Sequence, residues 1–214
     1  MSVENAMPAE HSMQRAGSAL VQLVFAATAG FALLAAAQGV EHHHPQHALP
    51  ELTRSVANYD LPKVGVMRVD GVRVGFAADI DSGPPVILNF VYTSCTTICP
   101  VMTQIFARLQ EELGAGREHA LLVSVSIDPE YDTVARLAAY AKQFDAGPQW
   151  RFYTGSLQAS VAIQRAFAVY KGDKMNHTPV TFLRAAPGQP WVRLDGFATP
   201  AELLKEYRLL AAPG

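Results

Sequence analysis

The chain has 214 residues, half of them hydrophobic and 17 % charged, with a formal net charge of −2 and two cysteines. These values exclude a disordered chain, which pairs low hydrophobicity with high net charge. They also exclude a nucleic-acid binder, since a basic excess is missing where Lys+Arg is 17 against Asp+Glu 19. Two cysteines are too few for a disulfide-built mini-domain or a four-cysteine zinc site, and the length suits one domain with appendages.

In chain order, an N-terminal tail (1–15) precedes a stretch, 16–40, that holds no charged residue. As a helix it would extend about 37 Å at about 1.5 Å per residue, enough for a hydrocarbon core that takes about 20 apolar residues. The favoured reading is an uncleaved single-span membrane anchor. A cleaved signal peptide is the alternative, because Ala35 and Ala37 fit a small-residue cleavage site. No cysteine closes the run, which argues against a bacterial lipoprotein. Only Arg15 precedes the span and only Arg54 follows closely, so the positive-inside rule does not orient it. Residues 41–58 read as an exposed linker that carries His42, His43, His44 and His47, four of the seven histidines. Neutral imidazoles bind copper, nickel and zinc. The run is therefore either a metal pick-up segment or a polar tether.

The globular part is expected over 59–214. The run 85–92 is almost continuously apolar, as a central strand covered on both faces should be. Met102, Ile105, Phe106, Leu109 and Leu113 form one helical stripe. The run 120–127 reads as a second central strand, and Asp132-Thr133 as the cap of a helix carrying Val134, Leu137, Ala138 and Ala141. A short strand is expected at 151–153 and a helix over 157–169. An antiparallel hairpin follows from 180–183 and 191–194 across the Pro187-Gly188 turn. Thr199-Pro200-Ala201-Glu202 is a capping box with proline at the first helical position, and it opens the last helix. A βαβ beginning that closes with an antiparallel hairpin and a helix gives a mixed sheet flanked by helices, a thioredoxin-like α/β fold. A domain of about 155 residues hides roughly two thirds of its chain surface without disulfides, which leaves the cysteines free for chemistry.

Those cysteines stand just after the first central strand, in Cys95-Thr96-Thr97-Ile98-Cys99-Pro100. Pro100 fits the first position of the next helix, with Cys99 as its N-cap. Unpaired N–H groups and positive potential at a helix N-terminus favour thiolate over thiol. In an open α/β sheet, this carboxyl end of a strand is also where ligands collect. Helical i,i+4 positions hold their Cβ atoms about 5–6 Å apart, whereas a disulfide wants about 3.5–4.5 Å. The pair can close as a reversible disulfide if the Cys95 loop departs from helical geometry, or it can hold a metal. A metal needs a further ligand, and His177, in Met175-Asn176-His177-Thr178-Pro179, directly precedes the hairpin strand. In this fold that loop faces the cysteine loop, and its proline is often cis. Two thiolates and one imidazole suit copper, sulfur favouring Cu(I) and nitrogen accommodating Cu(II). Met175 is a weaker additional ligand choice.

These residues resemble the SCO/SenC family, membrane-anchored copper chaperones of cytochrome c oxidase assembly. The likeness rests on Tyr92-Thr93, Cys95 and Cys99-Pro100, Ser126-Ile127-Asp128-Pro129 with Asp132-Thr133, and His177-Thr178 leading into Phe182-Leu183, in family order over about 60–211. The resemblance implies copper held by Cys95, Cys99 and His177. It implies copper transfer to the CuA-bearing oxidase subunit, or reduction of that subunit's thiols, with a copper-donor chaperone upstream. The soluble domain would face the bacterial periplasm or the mitochondrial intermembrane space, and a homodimer stays open. Many members carry an acidic residue between the cysteines, where this chain has Thr96 and Thr97, and an aspartate before the histidine, where it has Asn176. Asp128 and Asp132 match the family, and turn formation and helix capping account for them. The leading reading is a binding and transfer protein rather than a turnover enzyme. A thiol–disulfide oxidoreductase acting through Cys95 and Cys99, with Cys95 the more accessible nucleophile, and a peroxidase or redox sensor of the same fold stand as alternatives.

Overall fold

The computed structural model describes residues 51–113 and 120–212. The expected anchor (16–40) and His42, His43, His44 and His47 lie outside the described residues. Among the described residues no helix is long and apolar enough to cross a membrane.

The elements run β1 (Thr53–Ala57), β2 (Gly65–Arg68), β3 (Arg73–Gly75), α1 (Phe76–Ile80), β4 (Val86–Val91), α2 (Ile98–Leu113), β5 (Leu121–Ser126), α3 (Val134–Gln143), β6 (Trp150–Gly155), α4 (Leu157–Ala166), β7 (Val180–Arg184), β8 (Trp191–Asp195) and α5 (Pro200–Ala211). The strands form one sheet in the order β1-β8-β7-β4-β5-β6-β2-β3. Strand β4 pairs parallel to β5, and β5 parallel to β6. The remaining pairings are antiparallel, including the β7–β8 hairpin. The mixed thioredoxin-like sheet is therefore as expected.

All six residues of β4 and of β5 are buried, which is why those runs show no polar alternation. Successive side chains go to opposite faces. Leu88 and Phe90 join Val123, Val125, Phe167 and Phe182 on one side of the sheet, where α4 packs through Ala159 and Ile163. Ile87 and Val91 join Phe106, Leu109, Leu137 and Leu203 on the other, under α2, α3 and α5. On the first side the rings of Phe167 and Phe182 lie 4.8 Å apart at 61°. Truncating such a buried aromatic to alanine costs about 3–5 kcal/mol. At the sheet's centre the Ser124 hydroxyl donates to the Asn89 side-chain oxygen at 2.7 Å and accepts the Trp150 indole N–H at 3.0 Å, while the Asn89 amide nitrogen is buried without a partner among the described residues.

The sequence expectations include neither β2 and β3 nor α1, and four further details differ from them. Residues 53–57, assigned to the linker, form β1 and pair antiparallel with β8. The helix expected to reach residue 169 ends at Ala166, because Ala168 takes a positive φ of 53° that no helix continues. The cap of α3 is Thr133, whose side chain accepts the Arg136 N–H; Asp132 is turned inward instead. Helix α2 starts at Ile98, so Cys99 lies inside its first turn rather than at the N-cap. The capping box of α5 forms as expected, with Thr199 and Glu202 bonded reciprocally.

Candidate metal and thiol site

Strand β4 is the base of the site. Its ladder to β7 ends at Asn89 opposite Thr181, and Pro179, which has no N–H, cannot extend it. The Phe90 carbonyl is taken instead by the imidazole of His177, with Nε2 at 3.2 Å. Two residues further on, the Tyr92 carbonyl accepts the Cys95 N–H at 3.2 Å. Cys95 and His177 are thus both tied to the carboxyl end of β4, His177 to Phe90 within it and Cys95 to Tyr92 just after it.

The cysteines are both free and both buried, Cys95 at 6 % exposure and Cys99 at 1 %. The Cys99 N–H donates to the Cys95 sulfur at 3.4 Å, and the Thr97 hydroxyl lies 3.7 Å from it. Burial opposes ionisation of Cys95, but the Cys99 and Thr97 backbone N–H groups and the Thr97 hydroxyl outweigh it, bringing its pKa from 9.0 down to about 7. Cys99 goes the other way. Burial pushes its thiol well above the usual range, and the neighbouring Cys95 and Asp132 charges add to that. The pair is a poised thiolate beside a retained thiol.

The single 3₁₀ turn Lys174–Asn176 delivers His177. Asp173 caps the turn by accepting the Met175 N–H at 2.9 Å. Lys174 is ion-paired to Asp128 and sits 5.6 Å from the centre of the Tyr92 ring. The turn is therefore tied to both the β5–α3 loop and the cysteine loop. Burial lowers the pKa of His177, with the Phe90 carbonyl opposing, so the ring is neutral at physiological pH. A carbonyl can only accept, so Nε2 carries the proton and Nδ1 keeps its lone pair. The Thr178–Pro179 bond is trans, since the described residues contain no cis peptide.

Asp132 is fully buried and accepts the Thr93 N–H at 3.1 Å, the Thr93 hydroxyl at 2.5 Å and the Ser126 hydroxyl at 2.6 Å. Asp128 serves the turn as expected, its carbonyl receiving the N–H groups of Tyr131 and Asp132, and it also holds Lys174. Tyr92 was not anticipated as a contact residue. Its hydroxyl donates to the Met175 sulfur at 3.7 Å, and no local pattern signals a contact 83 positions away. Asn176 is exposed beside His177. Among the described residues, no three His, Cys, Asp or Glu side chains stand preassembled around one point. The structure brings Cys95 and Cys99 into contact and holds His177 on the Phe90 carbonyl, at the same end of β4.

Fold and site define a thioredoxin-like protein with a buried thiol pair at the carboxyl end of a central strand. The SCO1/SenC family model matches residues 74–212, and the chain belongs to that family. The SCO1 protein homolog of Bacillus subtilis is 30 % identical over 105 residues, which are 49 % of this chain and 53 % of that protein, so the chain spans about half the length of this relative. Arabidopsis thaliana ScoI, whose crystal structure has copper bound, is 24 % identical with a TM-score of 0.58, over 73 % of this chain and 98 % of that one. BsSco is described as a member of the Sco family of cytochrome c oxidase assembly proteins with a disulfide switch; it is 23 % identical with a TM-score of 0.62, over 74 % of this chain and 96 % of that one. At these identities the two structures share the fold.

Proposed function

We propose that the chain is a copper carrier for the CuA centre of cytochrome c oxidase, binding copper through Cys95, Cys99 and His177, with its soluble domain held by residues 16–40 on the periplasmic or intermembrane-space side of a membrane. The observation that carries this reading is the anchoring of His177 and the cysteine loop on the carbonyls of Phe90, in β4, and Tyr92, just after it. The donor chemistry fits: Cys95 ionises near neutrality, and thiolate sulfur with neutral imidazole is a set that takes copper. The copper-bound state of a relative of the same fold supports it. Binding by all three groups requires the imidazole to leave the Phe90 carbonyl and turn toward the sulfurs. Cys99 gives up its proton to solvent as its sulfur binds the metal, so binding releases protons.

The test is competition for Cu(I) between the reduced chain and a chromophoric chelator. Cys95→Ser, Cys99→Ser and His177→Ala should each weaken binding by at least about tenfold, or about 1.4 kcal/mol. Unchanged affinity in His177→Ala would refute the three-ligand set.

A second reading has an observation of its own. The split acidity of Cys95 and Cys99 is what a thiol–disulfide reductase needs, with Cys95 attacking a disulfide and Cys99 resolving the mixed disulfide. Rapid exchange with a peptide carrying paired cysteines, together with weak copper binding, would favour it over the carrier reading.

A further inference from the structure

The proposed copper set leaves one soft donor at its edge without a role. Met175 is 71 % exposed, whereas Met102 is 2 % exposed. Exposed thioethers gain nothing from burial, and this one is held in place. Asp173 accepts its backbone N–H at 2.9 Å, and Lys174, beside it, is paired to Asp128. Its sulfur accepts the Tyr92 hydroxyl at 3.7 Å. The Tyr92 backbone carbonyl in turn accepts the Cys95 N–H at 3.2 Å. Tyr92 thus ties the exposed thioether to the loop that carries Cys95, and Met175 stands two residues from His177.

We propose that Met175 is the solvent-side ligand through which Cu(I) enters and leaves the Cys95, Cys99 and His177 set. This rests on the copper reading above. A thioether is neutral, carries no proton and prefers Cu(I) to harder ions. It can take the ion from a donor without the desolvation that the buried sulfurs impose. In the entry step a bond from copper to the Met175 sulfur forms as a bond to the donor's ligand breaks. In the next step the Cys95 sulfur replaces the thioether, and any Cys95 proton passes to water. Copper stays Cu(I) throughout, and no electron is transferred. Exit runs the same exchanges backwards.

The test uses the full reduced chain in detergent, labelled with ¹³C at the methionine methyls, with Cu(I) added anaerobically. The Met175 methyl, assigned by Met175→Leu, should broaden at substoichiometric Cu(I), while the ion exchanges across it, and the Met102 methyl should stay sharp. In stopped flow, Met175→Leu should slow both loading from a Cu(I)–chelator complex and release to a chelator on the order of tenfold, with equilibrium affinity changed far less. Loading and release rates equal to wild type in Met175→Leu would overturn the inference and leave the copper reading intact. A wild-type chain that binds no copper would overturn both.

Discussion

The Asp132 carboxylate receives both the backbone N–H and the hydroxyl of Thr93, at 3.1 and 2.5 Å. It also receives the Ser126 hydroxyl, at 2.6 Å. Thr93 is two residues from Cys95, so this buried anion clamps the cysteine loop to the end of β5. Asp132→Ala leaves an N–H and two hydroxyls without their acceptor. The expected loss is about 3 kcal/mol, read as a lower urea midpoint. Asp132→Asn keeps one acceptor oxygen and should lose less. A wild-type midpoint in Asp132→Ala would mean that the clamp does not hold the loop.

The acidity of Cys95 sets a pH dependence with a definite sign. The fold favours the thiolate, so alkylation by iodoacetamide should reach half its maximal rate near pH 7 rather than near 9.0. Cys99, held as the thiol, should be spared over that range. Thr97→Val removes a hydroxyl 3.7 Å from the Cys95 sulfur, and the midpoint should move up. A midpoint that stays put would assign the shift to the backbone N–H groups alone.

Strand β1 yields a truncation experiment. Chains beginning at residue 51 and at residue 59 differ by the β1 ladder on β8 and by the Arg54–Glu206 pair at 3.0 Å. At about 0.5–1.5 kcal/mol per hydrogen bond, the shorter chain should be less stable by about 2–4 kcal/mol, with a lower melting temperature. The edge of β8 that it uncovers, with Trp191, Val192 and Leu194, should also promote association. Equal melting temperatures would return residues 53–57 to the role of a tether.

What the sequence reveals follows the reach of each interaction. Strands β4 and β5 were legible because burial on both faces leaves an apolar run. Helix α5 was legible because its capping box is local. Strands β1 and β3 were not. Four of the five residues of β1 are exposed, and β3 is three residues long, so neither carries a period. Cys95, Cys99 and His177 could be picked out by spacing and by their places beside strands. The partners that orient them could not. Phe90 lies 87 positions from His177, and Asp132 looks like a helix cap until the fold turns it toward Thr93.

The central claim is tested most directly by X-ray absorption at the copper edge on the reduced, Cu(I)-loaded chain, beside its His177→Ala variant. The account expects one copper per chain, with two thiolate sulfurs and one imidazole in the wild type and the imidazole scattering lost in the variant. Imidazole scattering that persists in His177→Ala, or a copper site without sulfur, would contradict it.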